Sequence, residues 1–241
     1  IDSEVIWEPI KKLGIDYEFY SVDFRLDPIF DKPLSKDEVF FYSDTFGIKC
    51  LTVDKLVKRF GKQLIVDNTH AFYSQPYPGI DTIYSPRKFF GLPDGAYLYT
   101  DTLLNEEFEQ DDAMPHMAHL LKRIEYGSAS AAYQDFLTYC DSLIGQPIKR
   151  MSNLGEALLK SLDYEDLKER QIRNFQYLHA ALGKYNQFEY DDFPADTCPL
   201  SYMFYSEDPE LRKKLIDNKI YVSTYWKATL DLVEKGSAEY R

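Results

Sequence analysis

Three residues with reactive side chains, Asp67, His70 and Lys88, follow short apolar segments of the chain. Asp67 comes directly after the aliphatic run at 64–66, which has the composition of a short buried strand, and His70 follows three residues later. Lys88 lies in a turn-rich loop after a second apolar run, at 82–84. Ligands of open parallel sheets bind just beyond the carboxyl ends of the strands, so these three side chains can face one crevice. The pattern therefore predicts a candidate ligand-binding site.

Each of the three residues also has an ordinary structural interpretation. Lys88 lies in a loop rich in proline and glycine, where a lysine is usually a solvated charge. Asp67 begins the sequence Asp-Asn-Thr, which favours turns and helix N-caps. A histidine such as His70, taken alone, is commonly a partly buried residue with its hydrogen bonds satisfied. The hypothesis of a site depends on all three residues occurring together, in this order and at this spacing.

Hydrophobic patterns predict the elements that would position these residues. Apolar residues at helical spacing alternate with short apolar runs, and Thr52 is the expected N-cap of the second helix. Such alternation is typical of βαβ units and predicts an α/β fold with a mainly parallel sheet. The expected helices lie at 4–13 and 53–60, and the expected strands at 15–20, 39–42, 64–66, 80–84 and 96–99.

The second half of the chain has a different pattern. Residues 103–183 are expected to be mostly helical, and the longest amphipathic stretch is 164–182. We place a domain boundary near residue 170, which predicts domains at 1–170 and 171–241. The second domain is expected to be α+β, with strands at 199–205 and 220–222 and a helix that begins after Asp208 and Pro209.

Composition limits the class of protein. A chain of 241 residues with 44% hydrophobic content can bury the core of one large domain or two smaller ones. Its formal net charge of −12 repels a phosphate backbone, which argues against nucleic acid as a partner. The three cysteines lie far apart, as expected of a reducing compartment rather than a disulfide scaffold. No apolar run reaches membrane-spanning length, so we expect a cytoplasmic protein without a membrane partner.

One histidine pair resembles a fragment of a metal site. His116 and His119 lie on one face of a predicted helix, near Asp111 and Asp112. No further cysteine or histidine lies nearby to complete a coordination shell. We interpret the pair as part of an ordinary surface helix and predict no metal site.

The order of these motifs and elements along the chain resembles that of a fold-type I enzyme that depends on pyridoxal phosphate (PLP). More narrowly, it is similar to the DegT family of sugar aminotransferases. That family has an aspartate, a glutamine or histidine three residues later, and a lysine about twenty residues after the aspartate; Asp67, His70 and Lys88 fit this pattern. The resemblance covers most of the chain, with its specific motifs within 64–98. Weaker matches are the opening 9–14 with Tyr20, the turn at 46–48, and Arg173 with Asn174.

The resemblance assigns a role to each residue. It implies that Lys88 holds the cofactor aldehyde as a Schiff base and later acts as the base that moves the substrate proton. Asp67 would face the pyridine nitrogen and keep it protonated, and His70 would pack against the ring or bind its phenolic oxygen. Ser85 is the candidate for a further cofactor contact. Ser85, Tyr84 and Arg87 could each touch phosphate or substrate, or merely shape the loop.

Two departures from the family pattern concern the phosphate group of the cofactor. The family has a serine five residues before the lysine, where this chain has Ile83; Ser85 lies three residues before Lys88. The family also has an N-terminal segment that binds the phosphate, which is not found here. By that comparison, we expect the sequence to be part of a longer enzyme.

The resemblance implies a three-layer α/β large domain at 1–170 and part of a small α+β domain at 171–241. It implies a homodimeric aminotransferase that transfers an amino group from an amino acid to a keto sugar, possibly nucleotide-linked. Related enzymes with histidine in place of the lysine carry out dehydration, so Lys88 favours transamination. Two alternatives remain: a lyase or desulfurase on the same fold, or a cofactor-free binding or scaffold protein that retains the fold.

Overall fold

The computed structural model describes residues 4–223, 225–226, 230–231 and 233–240. This part of the chain forms six strands and seven α-helices. The strands are β1 (Ser21–Val22), β2 (Pro28–Ile29), β3 (Phe40–Ser43), β4 (Leu64–Asp67), β5 (Asp81–Tyr84) and β6 (Tyr97–Tyr99). The helices are α1 (Glu4–Leu13), α2 (Cys50–Phe60), α3 (Ala118–Glu125), α4 (Tyr133–Ser142), α5 (Asn153–Lys160), α6 (Tyr164–Leu182) and α7 (Leu211–Asp217).

The central sheet has four strands in the order β3-β4-β5-β6. Strands β3, β4 and β5 run parallel, and β6 pairs antiparallel with β5 at one edge. The register aligns Ser43 with Asp67, and Asp67 with Ile83. A mixed α/β fold with a mostly parallel sheet is therefore confirmed. The carboxyl ends of β3, β4 and β5 lie at the same edge of the sheet, where the predicted site residues follow.

Strand β4 lies at the centre of the core. The side chains of Leu64 and Val66 are fully buried, as expected of a parallel strand that is covered on both faces. Helix α2 packs on β4 and buries Val53 and Leu56. The helix begins at Cys50, two residues before the predicted N-cap, so that prediction was wrong. Its first turn instead continues from the buried 3-10 turn that follows β3.

Three predicted strands are not formed. Residues 15–20 pair with no other strand; the neighbouring residues of β1 pair with β2 in a two-stranded antiparallel ribbon. Residues 199–205 and 220–222 also form no strand. In the first of these two segments, other groups satisfy the backbone: Met203 N–H donates to Tyr190 Oη and Tyr205 N–H donates to Asn186 Oδ1. These hydrogen bonds take the place of the bonds to a neighbouring strand that the predicted strand would have formed.

Helix α6 has the bounds predicted from its amphipathic pattern, 164–182. Ion pairs one turn apart line its exposed surface, such as Arg170 with Asp166. In the described part of the chain, no helix combines the length and apolar composition that a membrane crossing requires.

The chain divides into two compact units. One consists of Ile1–Pro33, Phe175–Asp192 and Tyr202–Arg241, and the other of Leu34–Asn174 and Phe193–Ser201. The second unit contains the four-stranded sheet and every predicted site residue. The predicted domains, 1–170 and 171–241, follow a different division of the chain and remain a prediction.

Candidate active site at the carboxyl ends of the parallel strands

Asp67 is the last residue of β4 and is only 8% exposed. Both of its carboxylate oxygens accept hydrogen bonds from neighbouring residues. Ser43 Oγ, at the end of β3, donates to Oδ2 at 2.8 Å, and the Thr69 backbone N–H donates to Oδ1 at 2.9 Å. These bonds compensate for the burial of a carboxylate and fix its orientation.

The turn that carries Thr69 is anchored to the sheet. The Asn68 N–H donates to the carbonyl of Ile83 on β5 at 2.8 Å, and the Ala71 N–H donates back to the Asn68 carbonyl at 2.9 Å. The sequence Asp-Asn-Thr-His therefore forms a tight turn at the end of β4. The alternative interpretation of Asp67 as a turn former describes its local structure and does not conflict with a role in a site.

Lys88 ends a 3-10 turn, Pro86–Lys88, that follows β5. Its Nζ donates a hydrogen bond to Thr69 Oγ1 at 3.3 Å. Thr69 thus contacts two of the predicted site residues, since its N–H binds the carboxylate of Asp67 and its hydroxyl binds the amine of Lys88. The fold therefore brings the carboxylate and the amine to the same residue of one turn.

The surroundings of the Lys88 amine lower its pKa below the ordinary value of 10.5. Removal of the ammonium from water is the main cause, the charge of Arg87 acts in the same direction, and the carboxylate of Asp67 opposes both. The residue as a whole remains exposed, and screening by solvent limits the effect of this shift on stability. A lowered pKa increases the fraction of neutral amine, which is the nucleophilic form.

His70 is buried and packs against Phe46. The two rings stack with centroids 5.4 Å apart, and the Phe46 N–H donates to His70 Nδ1 at 3.3 Å. Burial lowers the pKa of His70 from 6.5 to about 4; the charge of Lys88 adds to this effect and that of Asp67 opposes it. At neutral pH the imidazole is therefore uncharged, and the bond to Nδ1 assigns its proton to Nε2.

The backbone of the turn at Phe46 and Gly47 lies very close to the backbone of His70. Phe46 and Gly47 both have left-handed backbone conformations, with φ of 57° and 69°. A Cβ atom on Gly47 would lie 2.6 Å from the carbonyl oxygen of His70. Only glycine fits this position without displacement of one of the two turns.

A second buried carboxyl group lies directly behind Asp67. Asp44 is 1% exposed; its backbone N–H donates to the Asp67 carbonyl at 3.1 Å, and its Oδ1 accepts from the Lys49 N–H at 2.7 Å. Burial raises the pKa of Asp44 from 3.8 to about 7; the Lys49 charge opposes this rise and the Asp67 charge adds to it. The Lys49 side chain is likewise 1% exposed.

The loop residues around Lys88 differ in their involvement. Ser85 is buried, and its carbonyl accepts from the Lys88 N–H at 3.2 Å, but its hydroxyl does not cap the turn. Tyr84 Oη donates to a backbone carbonyl, that of Ser74, at 2.8 Å. Arg87 donates to the hydroxyl of Tyr139. Arg87 and Tyr84 therefore have structural partners, whereas Ser85 remains a candidate for cofactor contact.

A cluster of five half-buried aromatic residues, which we call the aromatic wall, lies beside the Lys88 turn. Two of its residues follow His70 closely in sequence, and two follow Lys88 directly. The hydroxyl of Tyr73 is buried and has no hydrogen-bond partner among the described residues. The rings lie 5.0 to 6.4 Å from their neighbours. The members are Phe72, Tyr73, Phe89, Phe90 and Tyr164.

The histidine pair on α3 and its preceding turn has an aromatic environment. His119 stacks on Tyr139 with centroids 4.5 Å apart, and His116 lies edge-on to the same ring at 5.6 Å. Within the described residues, no group of three or more histidine, cysteine or acidic side chains is arranged to hold a metal ion.

Sequence reasoning missed two residues of the site, Ser43 and Thr69. Ser43 ends β3 as Asp67 ends β4, so the strand-end pattern that identified Asp67 contains a signal for it as well. Thr69 carries no such signal, because its contact with Lys88 depends on how the two turns meet.

Comparison of this chain with protein-family models, curated proteins and solved structures found no match. The resemblance to a family therefore rests on the sequence pattern of Asp67, His70 and Lys88 alone.

Proposed function

We propose that this chain is a PLP-dependent aminotransferase. The observation that carries the proposal is the link through Thr69 between a buried carboxylate, Asp67, and a lysine amine, Lys88, at the carboxyl ends of parallel strands. Open α/β sheets bind ligands at this edge. A lysine whose amine is partly desolvated, next to a fixed carboxylate, has the chemistry that this cofactor needs.

The donor set fits the cofactor. When bound, PLP supplies an aldehyde for attachment to an amine and a pyridinium ring that accepts electrons. An ionised Asp67 would accept a hydrogen bond from the ring nitrogen, because each of its oxygens accepts one bond in the fold and keeps a further lone pair. Ser43 and Thr69 would hold the carboxylate in place for that contact.

Lys88 would have two tasks, to bind the cofactor and to carry the substrate proton. Its lowered pKa favours both, since the neutral amine can attack a carbonyl carbon and can accept a proton. His70 is neutral and its ring is held by Phe46, so it can pack against an aromatic ring without adding a charge. The buried Ser85 would lie near the phosphate group or the edge of the cofactor.

The narrower proposal is an enzyme similar to the DegT sugar aminotransferases. It would have the three-layer fold of type I enzymes and part of their small domain. In this reading, an amino acid is the donor, a keto sugar is the acceptor, and the enzyme is a cytoplasmic homodimer. The resemblance of the 64–98 segment supports this part of the proposal.

Borohydride trapping tests the proposal. The chain is incubated with PLP, reduced with borohydride and mapped by peptide mass spectrometry, next to a Lys88→Ala variant. We expect one dominant pyridoxyl adduct, on Lys88, that is absent from the variant. Lys62, with an 81% exposed side chain, is the internal reference for non-specific labelling. Adducts that favour such exposed lysines over Lys88 would overturn the proposal.

A second measurement distinguishes transamination from a lyase or desulfurase reaction. The PLP-loaded chain is incubated with glutamate as amino donor, and the products are analysed. An aminotransferase releases one equivalent of the 2-oxo acid and retains the amino group on the cofactor, so pyridoxamine phosphate forms. Release of ammonia or of a cleaved side chain instead would contradict transamination.

A further inference from the structure

Thr69 has a position in the site that neither the strand pattern nor the family resemblance assigns. Its N–H is bonded to the carboxylate of Asp67 at 2.9 Å, which fixes its backbone. Threonine is β-branched, so its side chain adopts few rotamers once the backbone is fixed. The hydroxyl is therefore held in place, and it accepts the hydrogen bond of the Lys88 amine at 3.3 Å.

A hydroxyl differs from a carboxylate in what it can do for an amine. An ionised carboxylate only accepts hydrogen bonds and favours the charged ammonium, whereas a hydroxyl accepts from an ammonium and donates to a neutral amine. Contact between Lys88 and Asp67 alone would keep the lysine charged, which is the unreactive form. An intervening hydroxyl keeps the amine near the carboxylate and still permits it to lose its proton.

We propose that Thr69 is a positioning residue, whose hydroxyl holds the Lys88 amine beside the Asp67 turn before and after the amine loses its proton. This role rests on the proposed function, because it matters only if the amine of Lys88 reacts. Loss of a merely structural hydrogen bond between two turns would also shift the titration of the amine, but it would leave the rate at which the neutral amine reacts unchanged. The two interpretations therefore differ in measurable properties.

The first test uses no cofactor. Trace acetic anhydride acylates lysine amines in their neutral form, and mass mapping over a pH series gives a midpoint for Lys88. Thr69→Val removes the hydroxyl but keeps the β-branched shape and the N–H to Asp67. Because the ammonium loses an acceptor, we expect the midpoint of Lys88 to move to lower pH in this variant. Thr69→Ser, which keeps the hydroxyl, should retain the original midpoint.

The second test measures placement. At a pH above all the midpoints, where the amine is neutral in every variant, the rate of borohydride-trapped PLP attachment to Lys88 is compared. We expect this rate to fall about fivefold in Thr69→Val, as for the loss of one ordinary hydrogen bond, and to be restored in Thr69→Ser. Thr138→Val, which removes an exposed hydroxyl on α4, is the matched control and should change neither property.

The outcomes distinguish this inference from the proposed function. An attachment rate that stays unchanged in Thr69→Val, whether or not the midpoint moves, would overturn the inference, while trapping at Lys88 in the unaltered chain would still support the aminotransferase. A shifted midpoint without trapping in the unaltered chain would overturn the proposed function and, with it, the reactive role of Thr69. If Thr69→Val loses its fold by circular dichroism, Thr69→Ala removes the same hydroxyl without placing a methyl group beside the Lys88 amine.

Discussion

The backbone N–H of Phe46 donates a hydrogen bond to Nδ1 of His70 from a left-handed conformation with φ of 57°. A non-glycine residue in this conformation marks a local cost that the surrounding structure must offset. The hydrogen bond and the ring stack between the same two residues provide that compensation. Since Nδ1 must be unprotonated to accept, the fold selects the neutral form of His70.

This selection predicts a pH-dependent stability. The pKa of His70 is about 4 in the folded chain against an ordinary value of 6.5, so between these values the unfolded chain binds a proton that the folded chain does not. The free energy of unfolding should therefore fall as the pH is lowered from 7 to 4, by on the order of 3 kcal/mol from this residue. Urea denaturation of the unaltered chain and of His70→Gln over this range measures the contribution.

The difference between the two proteins isolates His70, because the remaining titrations are common to both. We expect the stability of the unaltered chain relative to His70→Gln to rise with pH across the window and to level off above pH 7. A difference that stays constant from pH 4 to pH 7 would show that the imidazole has the same pKa in the folded and the unfolded chain.

The contribution of Asp44 to stability should change with pH in the opposite direction. Burial raises its pKa to about 7, so between its ordinary 3.8 and this value the folded chain binds a proton that the unfolded chain does not. Its contribution to stability is complete below pH 3.8 and is lost as the pH rises through 7. In Asp44→Asn, which keeps an acceptor for the Lys49 N–H, this loss should disappear. The stability of the unaltered chain relative to this variant should fall with rising pH.

The same pH series thus gives two difference curves with opposite slopes, one for His70→Gln and one for Asp44→Asn. Slopes of equal sign would contradict the assignment of one site to a neutral imidazole and the other to a protonated carboxyl group.

Gly47 gives a prediction that depends on space rather than charge. Its φ of 69° disfavours any residue with a Cβ, and that Cβ would lie 2.6 Å from the His70 carbonyl oxygen. Gly47→Ala should therefore combine about 1–2 kcal/mol of backbone strain with the displacement of one turn. Gly127→Ala is the matched control, since its φ is 56° and nothing lies within 4 Å of its Cβ position.

Thermal or urea unfolding of both variants separates the two costs. We expect Gly47→Ala to lose clearly more stability than Gly127→Ala, and its His70 to show an altered chemical shift. Equal losses would mean that the turns of Phe46 and His70 separate without cost.

Much of the architecture could be predicted because it follows from local pattern. The aliphatic run at 64–66 is typical of a buried strand, and its end places Asp67 at the edge of the sheet where ligands bind. The amphipathic stretch of α6 defined that helix at both ends. Prediction was wrong for 199–205, because strand formation also needs a neighbouring strand, and side chains such as that of Asn186 bind this backbone instead.

The site was only partly predictable for a similar reason. Asp67, His70 and Lys88 have reactive side chains at a recognisable spacing, so the sequence alone identifies them as candidates. Ser43 is brought to Asp67 by strand register, and Thr69 is brought to Lys88 by the meeting of two turns. Both relationships are properties of the folded chain, and residues of these types are too common for their position in sequence to indicate such contacts.

Ser43 gives the last prediction. Its hydroxyl is the donor to Asp67 Oδ2, at 2.8 Å in a buried environment. Ser43→Ala leaves that oxygen without this donor, and a hydrogen bond to a charged group contributes about 1.5–3 kcal/mol. We expect a loss of stability in this range by urea denaturation at pH 7. We also expect slower attachment of PLP to Lys88, because the carboxylate opposite the cofactor ring would be less well fixed.

Ser161→Ala is the matched control, since its hydroxyl donates to a backbone carbonyl on the exposed end of α5. Surface substitutions of this kind change stability by no more than about 0.5 kcal/mol. If Ser43→Ala and Ser161→Ala lose the same small amount, the Asp67 carboxylate does not depend on Ser43. A large loss of stability with an unchanged attachment rate would instead restrict Ser43 to the core, and only a change in both properties links the end of β3 to the chemistry of Lys88.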